Sequence, residues 1–132
     1  MMNLWGIFRS PLMLGAEMTL LDDFTLGLLT NRELLRANQY GRLPEQLFKD
    51  AGRTQAAWKS MDEADGSINL AIFNLSDHTQ EITVTLAEAE IPEPGSILDI
   101  WTNQEIVKEE GREQGTITVS LTPHASVFYK LR

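Results

Sequence analysis

The sequence contains no cysteine and only two histidines, His78 and His124. Disulfides, thiolate metal sites and cysteine nucleophiles are therefore excluded. A histidine-rich metal centre is excluded as well, and a Ser-His-Asp triad would have to use one of these two histidines. The sequence predicts no metal site and no cofactor.

Long hydrophobic runs are also missing. No apolar run reaches the ~18 residues that a membrane-spanning helix requires. A complete (β/α)8 barrel is excluded because it needs roughly 200 residues or more, and this chain has 132. The first residues lack the basic region of a signal peptide, so we expect a cytoplasmic location.

Basic residues are few, 11 against 19 acidic residues, for a net charge of −8. A nucleic-acid backbone repels such a chain, so nucleic-acid binding is disfavoured. Residues 1–57 carry six basic and six acidic side chains, and residues 58–132 carry five and thirteen. The second region is thus predicted to have a solvated acidic surface.

The first third of the chain has the pattern of an α/β fold. Residues 12–16 form a continuous apolar run, typical of a strand buried on both faces in a parallel sheet. Asp22 or Asp23 is a predicted helix N-cap, and Thr30 and Glu33 have capping-box spacing for a second helix near 31–39. A lone parallel strand has no hydrogen-bond partner, which indicates a truncated larger protein.

From Ala57 onwards the hydrophobic period is two, which is typical of β-strands. The polar stretch 43–54 before it is predicted to be a linker. Turn residues separate the alternating runs, so an antiparallel sandwich is expected over 55–132. The predicted strands lie at 68–75, 82–86, 97–101, 105–108, 116–121 and 126–131.

Five segments resemble glycoside hydrolase family 27, the α-galactosidases and α-N-acetylgalactosaminidases, also called melibiases. LWGIFRSPLMLGAE at 4–17 is similar to the last barrel unit of that family, and LTNRELLRANQ at 29–39 to the helix that follows. AIFNLSD at 71–77, DIWT at 99–102 and PHAS at 123–126 are similar to its sandwich strands, in the family's order.

The resemblance implies a mainly β chain, with a C-terminal antiparallel β-sandwich preceded by the last βα unit of a truncated (β/α)8 barrel. The implied domains are a barrel remnant at 1–42 (helix, strand eight, helices), the linker at 43–54 and the sandwich at 55–132. The family's two catalytic aspartates lie on barrel strands that would precede Met1, so we assign no catalytic residue here. The Tyr40–Pro44 segment departs from the family pattern and leaves the sugar open.

Only Glu17 is a candidate substrate-binding residue, because it would lie near the C-terminal end of barrel strand eight. A cap or salt-bridge role for Glu17 is the alternative. The other acidic groups are interpreted as a helix cap, hairpin turn residues and solvated surface: Asp22-Asp23, Asp62-Glu63-Asp65 and Glu109-Glu110.

The tryptophans Trp58 and Trp101 admit two interpretations. They are either core residues of the sandwich, which the apolar surroundings of Trp101 favour, or a platform for stacking sugar rings. His124 is expected to fix a turn, and His78 to be exposed.

Three functions therefore remain in view. The chain is the C-terminal fragment of an α-galactosidase-like glycosidase, inactive alone; or a subunit that completes a split barrel; or a non-catalytic carbohydrate-binding β-sandwich. The expected partners are an α-galactoside or α-N-acetylgalactosaminide in the intact enzyme, and an upstream barrel polypeptide or a second copy of the chain. The second copy is suggested by apolar residues such as Ile7, which would be exposed without the rest of the barrel.

Overall fold

The computed structural model describes residues 2–8, 22–49, 54–106 and 115–132. Within these ranges, three helices precede eight strands. The helices are α1 (Met2–Phe8), α2 (Asp23–Thr30) and α3 (Arg32–Tyr40). The strands are β1 (Gly41–Lys49), β2 (Gln55–Asp62), β3 (Ile68–Asn74), β4 (Gln80–Thr85), β5 (Ile97–Asp99), β6 (Gln104–Glu105), β7 (Thr116–Leu121) and β8 (Ser126–Leu131).

The strands form two sheets. Six of them pair in the order β1-β2-β3-β8-β5-β6, and β4 pairs with β7 in a separate two-stranded sheet. Every pairing is antiparallel. The predicted mainly β class with an antiparallel sandwich is confirmed, whereas the strand predicted at 12–16 lies outside the described residues.

The main hydrophobic core lies between the two sheets. Leu70 and Ile72 of β3 pack there with Tyr129 of β8, facing Ile82 and Ile117 of the smaller sheet. On β4, Ile82 and Val84 are buried while Glu81 and Thr83 are exposed, as the alternation in the sequence predicts.

A second core lies on the opposite face of the six-stranded sheet. Ile7 of α1 and Leu34 and Ala37 of α3 pack there against Ala71 and Phe128. A Cβ atom at Gly6 would lie 2.5 Å from Leu34 Cδ1, so a side chain at this position would require Leu34 to move.

This arrangement corrects the expectation that Ile7 would be exposed. Its exposed fraction is 0%. The helix-facing side of β3 and β8 provides the apolar contacts of Ile7, so its burial does not need the other barrel units.

The segment predicted as a linker at 43–54 differs in structure. Residues up to Lys49 belong to β1, which pairs with β2 at the edge of the large sheet through two register irregularities. Pro44 is tolerated because an edge strand has one side whose N–H groups need no partner in the sheet. Leu43 has a φ of +51° and lies within the first irregularity. The irregularity breaks the alternation of side chains between the two faces of β1, which is the pattern that identifies a strand in a sequence. The domain boundaries themselves remain a prediction.

Helix caps agree with the sequence in one case and differ in the other. Asp22 caps α2 as predicted, its Oδ1 accepting a hydrogen bond from the Thr25 amide at 2.7 Å. The predicted Thr30 cap is wrong, because the Thr30 hydroxyl donates to the Leu26 carbonyl within α2. Asn31 caps α3 instead, with its Oδ1 3.0 Å from the Leu34 amide.

Candidate functional site

The side chains on one face of α3 and the end of β8 form a cluster of charges. Glu33 and Arg36 lie three residues apart on α3, so they project on the same side of the helix. Lys130 lies on β8 two residues after Phe128, and alternation therefore places it on the helix-facing side of the sheet. Asp62 ends β2, and Asp65 lies in the turn to β3.

The distances within this charge cluster (Glu33, Arg36, Asp62, Asp65 and Lys130) show a continuous ionic network. Lys130 Nζ lies 3.0 Å from Glu33 Oε2 and 3.5 Å from both Asp62 Oδ2 and Asp65 Oδ2. Arg36 binds the same two aspartates, with Nε 2.6 Å from Asp62 and Nη2 3.1 Å from Asp65. The side chains of Lys130 and Asp62 are 2% and 1% exposed, so the centre of the cluster is shielded from solvent.

Both aspartates are held in the ionised form. Burial opposes ionisation of Asp65, but hydrogen bonds from Ser67 and the charges of Lys130 and Arg36 lower its pKa to about 2. Burial likewise opposes ionisation of Asp62, yet hydrogen bonds from Arg36 and the Ala64 amide lower its pKa below the usual value. A carboxyl group held ionised at neutral pH has no proton to give, so neither aspartate is suited to act as a general acid.

A groove of about 820 Å³ lies beside this cluster, between α3 and the turn that follows β5. The Asn31 side chain joins its two walls, since its Nδ2 donates to the Ile100 carbonyl at 2.7 Å while its Oδ1 caps α3. The groove is lined by Asn31, Arg32, Glu33, Leu35, Arg36, Gln39, Tyr40, Ile100, Trp101 and Asn103.

The two tryptophans weighed from the sequence lie away from the sandwich core. Trp58 and Trp101 are both half-buried against the core between the helices and the large sheet. The Trp101 indole N–H donates to Asn3 Oδ1 at 2.7 Å. Trp101 also lines the groove, so the residue packs against the core and is partly accessible from the groove.

Of the remaining candidate residues, the two histidines are described by the structure and three glutamates are not. Glu17 and the Glu109-Glu110 pair lie outside the described residues. His124 Nε2 lies 2.8 Å from Asp77 Oδ1, which joins the turn after β3 to the turn before β8. His78 is exposed, as expected.

Within the described ranges, no group of three or more histidine and acidic side chains is arranged so that it could hold a metal ion. None of the three described helices has the length and apolar character to cross a bilayer.

Sequence analysis identified Asp62 and Asp65 as turn residues but missed the ionic network. Their turn role is correct, since Asp65 Oδ1 accepts from the Ser67 amide at 2.9 Å and Asp62 Oδ1 from the Ala64 amide at 2.9 Å. The signal that could have revealed the network is Lys130, a lone charge in the apolar strand VFYKL. A lysine on such a strand requires a buried counter-charge.

The chain is similar in sequence and in fold to known proteins. Residues 52–131 match the family model described as "Alpha galactosidase C-terminal beta sandwich domain". The solved GH27 β-L-arabinopyranosidase of Geobacillus stearothermophilus is 35% identical, with a TM-score of 0.86, over 98% of this chain and 28% of that chain. α-Galactosidase I from Mortierella vinacea shares the fold, with a TM-score of 0.80 at 18% identity over 98% of this chain and 34% of its own.

A curated relative agrees with these structures. Probable alpha-galactosidase D of Aspergillus niger is 25% identical over 105 residues, which is 75% of this chain and 16% of the relative. The chain therefore spans less than a third of the length of the Geobacillus and Aspergillus proteins. Its matches to the family model, to the order of the family's motifs and to the solved fold agree, and the chain belongs to the family of α-galactosidase C-terminal β-sandwich domains.

Proposed function

We propose that this chain is the C-terminal part of an α-galactosidase-like glycoside hydrolase, whose intact form hydrolyses O-glycosyl bonds. The observation that carries this proposal is the extent of the likeness, 98% of the chain at a TM-score of 0.86 to a GH27 glycosidase. The likeness includes the helices that precede the sandwich as well as the sandwich itself.

The chain alone is proposed to be inactive. A retaining glycosidase needs two carboxyl groups about 5–5.5 Å apart, one of them protonated to act as the acid. The clustered carboxylates of the described residues are Glu33, Asp62 and Asp65, and all three are paired with Lys130. Their role is to hold α3 against the sheet, and the reacting groups would come from upstream barrel strands.

The surface of α2 supports an upstream barrel partner. None of the residues of α2 is buried. Phe24 is 75% exposed and Leu26 is 46% exposed, so an apolar helix face lies open. We propose that the remaining barrel units cover this face. These units could lie on the same polypeptide or on a separate one, in which case this chain is the subunit that completes a split barrel.

The proposed substrate of the intact enzyme is an α-galactoside or an α-N-acetylgalactosaminide. The solved Geobacillus relative is a β-L-arabinopyranosidase, so the assay should include that sugar as well. Three p-nitrophenyl glycosides, one for each sugar, distinguish these specificities.

The experiment measures hydrolysis of these glycosides by the purified chain, alone and mixed with the barrel portion of the Geobacillus relative. We expect no hydrolysis by the chain alone and restored hydrolysis by the mixture. The Leu26→Glu variant should abolish the restoration, because a charge on α2 cannot be buried against the barrel. Leu75→Glu is the matched control, since Leu75 is 44% exposed in the turn after β3 and should have no effect.

Two results would contradict the proposal. Hydrolysis by the purified chain alone would place catalytic groups within these 132 residues. A stable but inactive complex with the barrel portion, unaffected by Leu26→Glu, would show that α2 is not the contact surface.

A further inference from the structure

The groove beside α3 has a rigid frame. Asn31 ties the first turn of α3 to the Ile100 carbonyl, and the indole N–H of Trp101 is bound to Asn3 at 2.7 Å. The Trp101 ring is thus fixed at the end of the groove where α3 begins. Because α3 has nine residues, it is about 13 Å long, and Tyr40 lies at the far end.

Aromatic side chains therefore border the groove at both ends. Tyr40 is 50% exposed, and Trp101 is half-buried. Both rings provide apolar surface for a flat apolar face, and the Trp101 ring, held by Asn3, loses little further conformational freedom on binding. The apolar face of a pyranose ring is such a surface.

Polar groups lie between the two rings. Arg32, Gln39 and Asn103 are exposed side chains that line the groove and carry hydrogen-bond donors, and the two amides also carry acceptors. Such groups match the hydroxyl groups along the edge of a sugar ring. Six of the ten lining residues are polar or charged, so the groove is rich in hydrogen-bonding groups, and its volume of about 820 Å³ lies in the range of small-ligand sites.

The charges of the groove favour a neutral ligand. Arg36 and Glu33 already neutralise partners within the charge cluster. The net charge of −8 disfavours an anionic polymer. A groove this long accommodates a short oligosaccharide better than a single ring.

We propose that this groove binds a short neutral oligosaccharide, stacked on Trp101 and Tyr40 and hydrogen-bonded by Arg32, Gln39 and Asn103. The site contains no group assigned to glycosidic-bond cleavage. It is an accessory site that holds a sugar chain, and it exists whether or not the chain also takes part in hydrolysis.

The test is a titration of the isotope-labelled 132-residue chain with raffinose, with stachyose and with galactose, followed by two-dimensional NMR. We expect saturable shifts of the amides of Asn31, Trp101 and Asn103 and of the Trp101 indole N–H, with no shifts in β4 and β7. The two oligosaccharides should bind more tightly than galactose, because only they reach both rings.

The Tyr40→Ala variant should weaken raffinose binding about threefold to tenfold, the range expected for loss of one ring contact. Phe24→Ala is the matched control, since Phe24 is a more exposed aromatic residue on α2 that does not line this groove. Its affinity should equal that of the parent chain.

Absence of saturable shifts up to the solubility limit of the sugars would overturn the proposal, as would equal weakening by both variants. Shifts of the same amides caused by the barrel portion of the relative, and not by sugar, would show that the groove receives a protein surface instead. None of these readouts depends on hydrolysis, so the two proposals can fail separately.

Discussion

At the scale of single residues, Lys130 is the unusual group of this molecule. Its side chain is only 2% exposed, and a charge removed from water is costly unless it is paired. Three carboxylates within 3.5 Å supply the opposite charge. Removal of one charge from a buried network is costly because the remaining charges stay desolvated and unpaired.

We therefore expect Lys130→Met to lower the free energy of unfolding by about 3–5 kcal/mol, measured by urea denaturation. Arg42→Met is the matched control, because Arg42 and its partner Glu63, 2.6 Å apart, are both more than half exposed. Its loss should be about 1 kcal/mol or less. Equal losses in the two variants would contradict the view that the Lys130 network is the stronger interaction.

The residue scale also shows why sequence reasoning missed this network. Glu33, Asp62 and Lys130 are far apart in the sequence. Strand pairing in the large sheet brings Asp62 near Lys130, and the docking of α3 adds Glu33. Asp62 has a local explanation as a turn residue, and that explanation is correct as far as it goes. Local patterns contain no information about which distant charge a buried lysine will meet.

At the scale of elements, α2 and α3 have similar caps but different surroundings. Asp22 and Asn31 each accept a hydrogen bond from an amide three residues ahead. α3 buries Leu34 and Ala37, whereas α2 buries none of its residues. The same cap should consequently affect the whole fold in α3 and only the helix itself in α2.

Asn31→Ala should lower the free energy of unfolding by about 1–2 kcal/mol, because it removes both the cap and the hydrogen bond to the Ile100 carbonyl. Asn31→Ser keeps a side-chain oxygen for the cap and should lose less. Asp22→Ala should leave global stability nearly unchanged while amide hydrogen exchange in α2 becomes faster.

Thr30→Ala provides the comparison that separates the two possible caps of α3. The Thr30 hydroxyl bonds only within α2, so the variant should resemble Asp22→Ala. A loss as large as that of Asn31→Ala would show that Thr30, and not Asn31, stabilises the start of α3.

The strands differ in how well the sequence predicts them. β3 and β4 have clear alternation because their two faces meet different surroundings, and both were predicted within two residues. β1 has Leu43 with positive φ, Pro44 and two register irregularities, so no alternation survives in its sequence. An edge strand of this kind is specified by its pairing with β2 more than by its own residues.

At the scale of the whole molecule, the charge cluster makes stability dependent on pH. The pKa of Asp65 is lowered to about 2 from a usual value of 3.8, and that of Asp62 is lowered as well. The unfolded chain therefore binds protons first as the pH falls. The stabilisation is complete above pH 3.8 and is lost as the pH approaches 2.

We expect the midpoint of thermal unfolding to fall as the pH is lowered through this range. Asp65→Asn should lower the midpoint at neutral pH and flatten its dependence on pH, because one of the two titrating aspartates is gone. Glu81→Gln, at an exposed position on β4, should leave the slope as in the parent chain. An unchanged slope in Asp65→Asn would contradict the role assigned to the charge cluster.

The charge cluster also links the helices to the sandwich domain. The family match begins at residue 52, yet Glu33 and Arg36, which neutralise the charges around Lys130 and Asp62, precede it. A sandwich that began at residue 52 would expose Phe128, because the helices that cover it would be missing. It would also leave Lys130 without Glu33 and Asp62 without Arg36. The sandwich and its helices thus form one structural unit, and a boundary drawn at residue 52 would divide it.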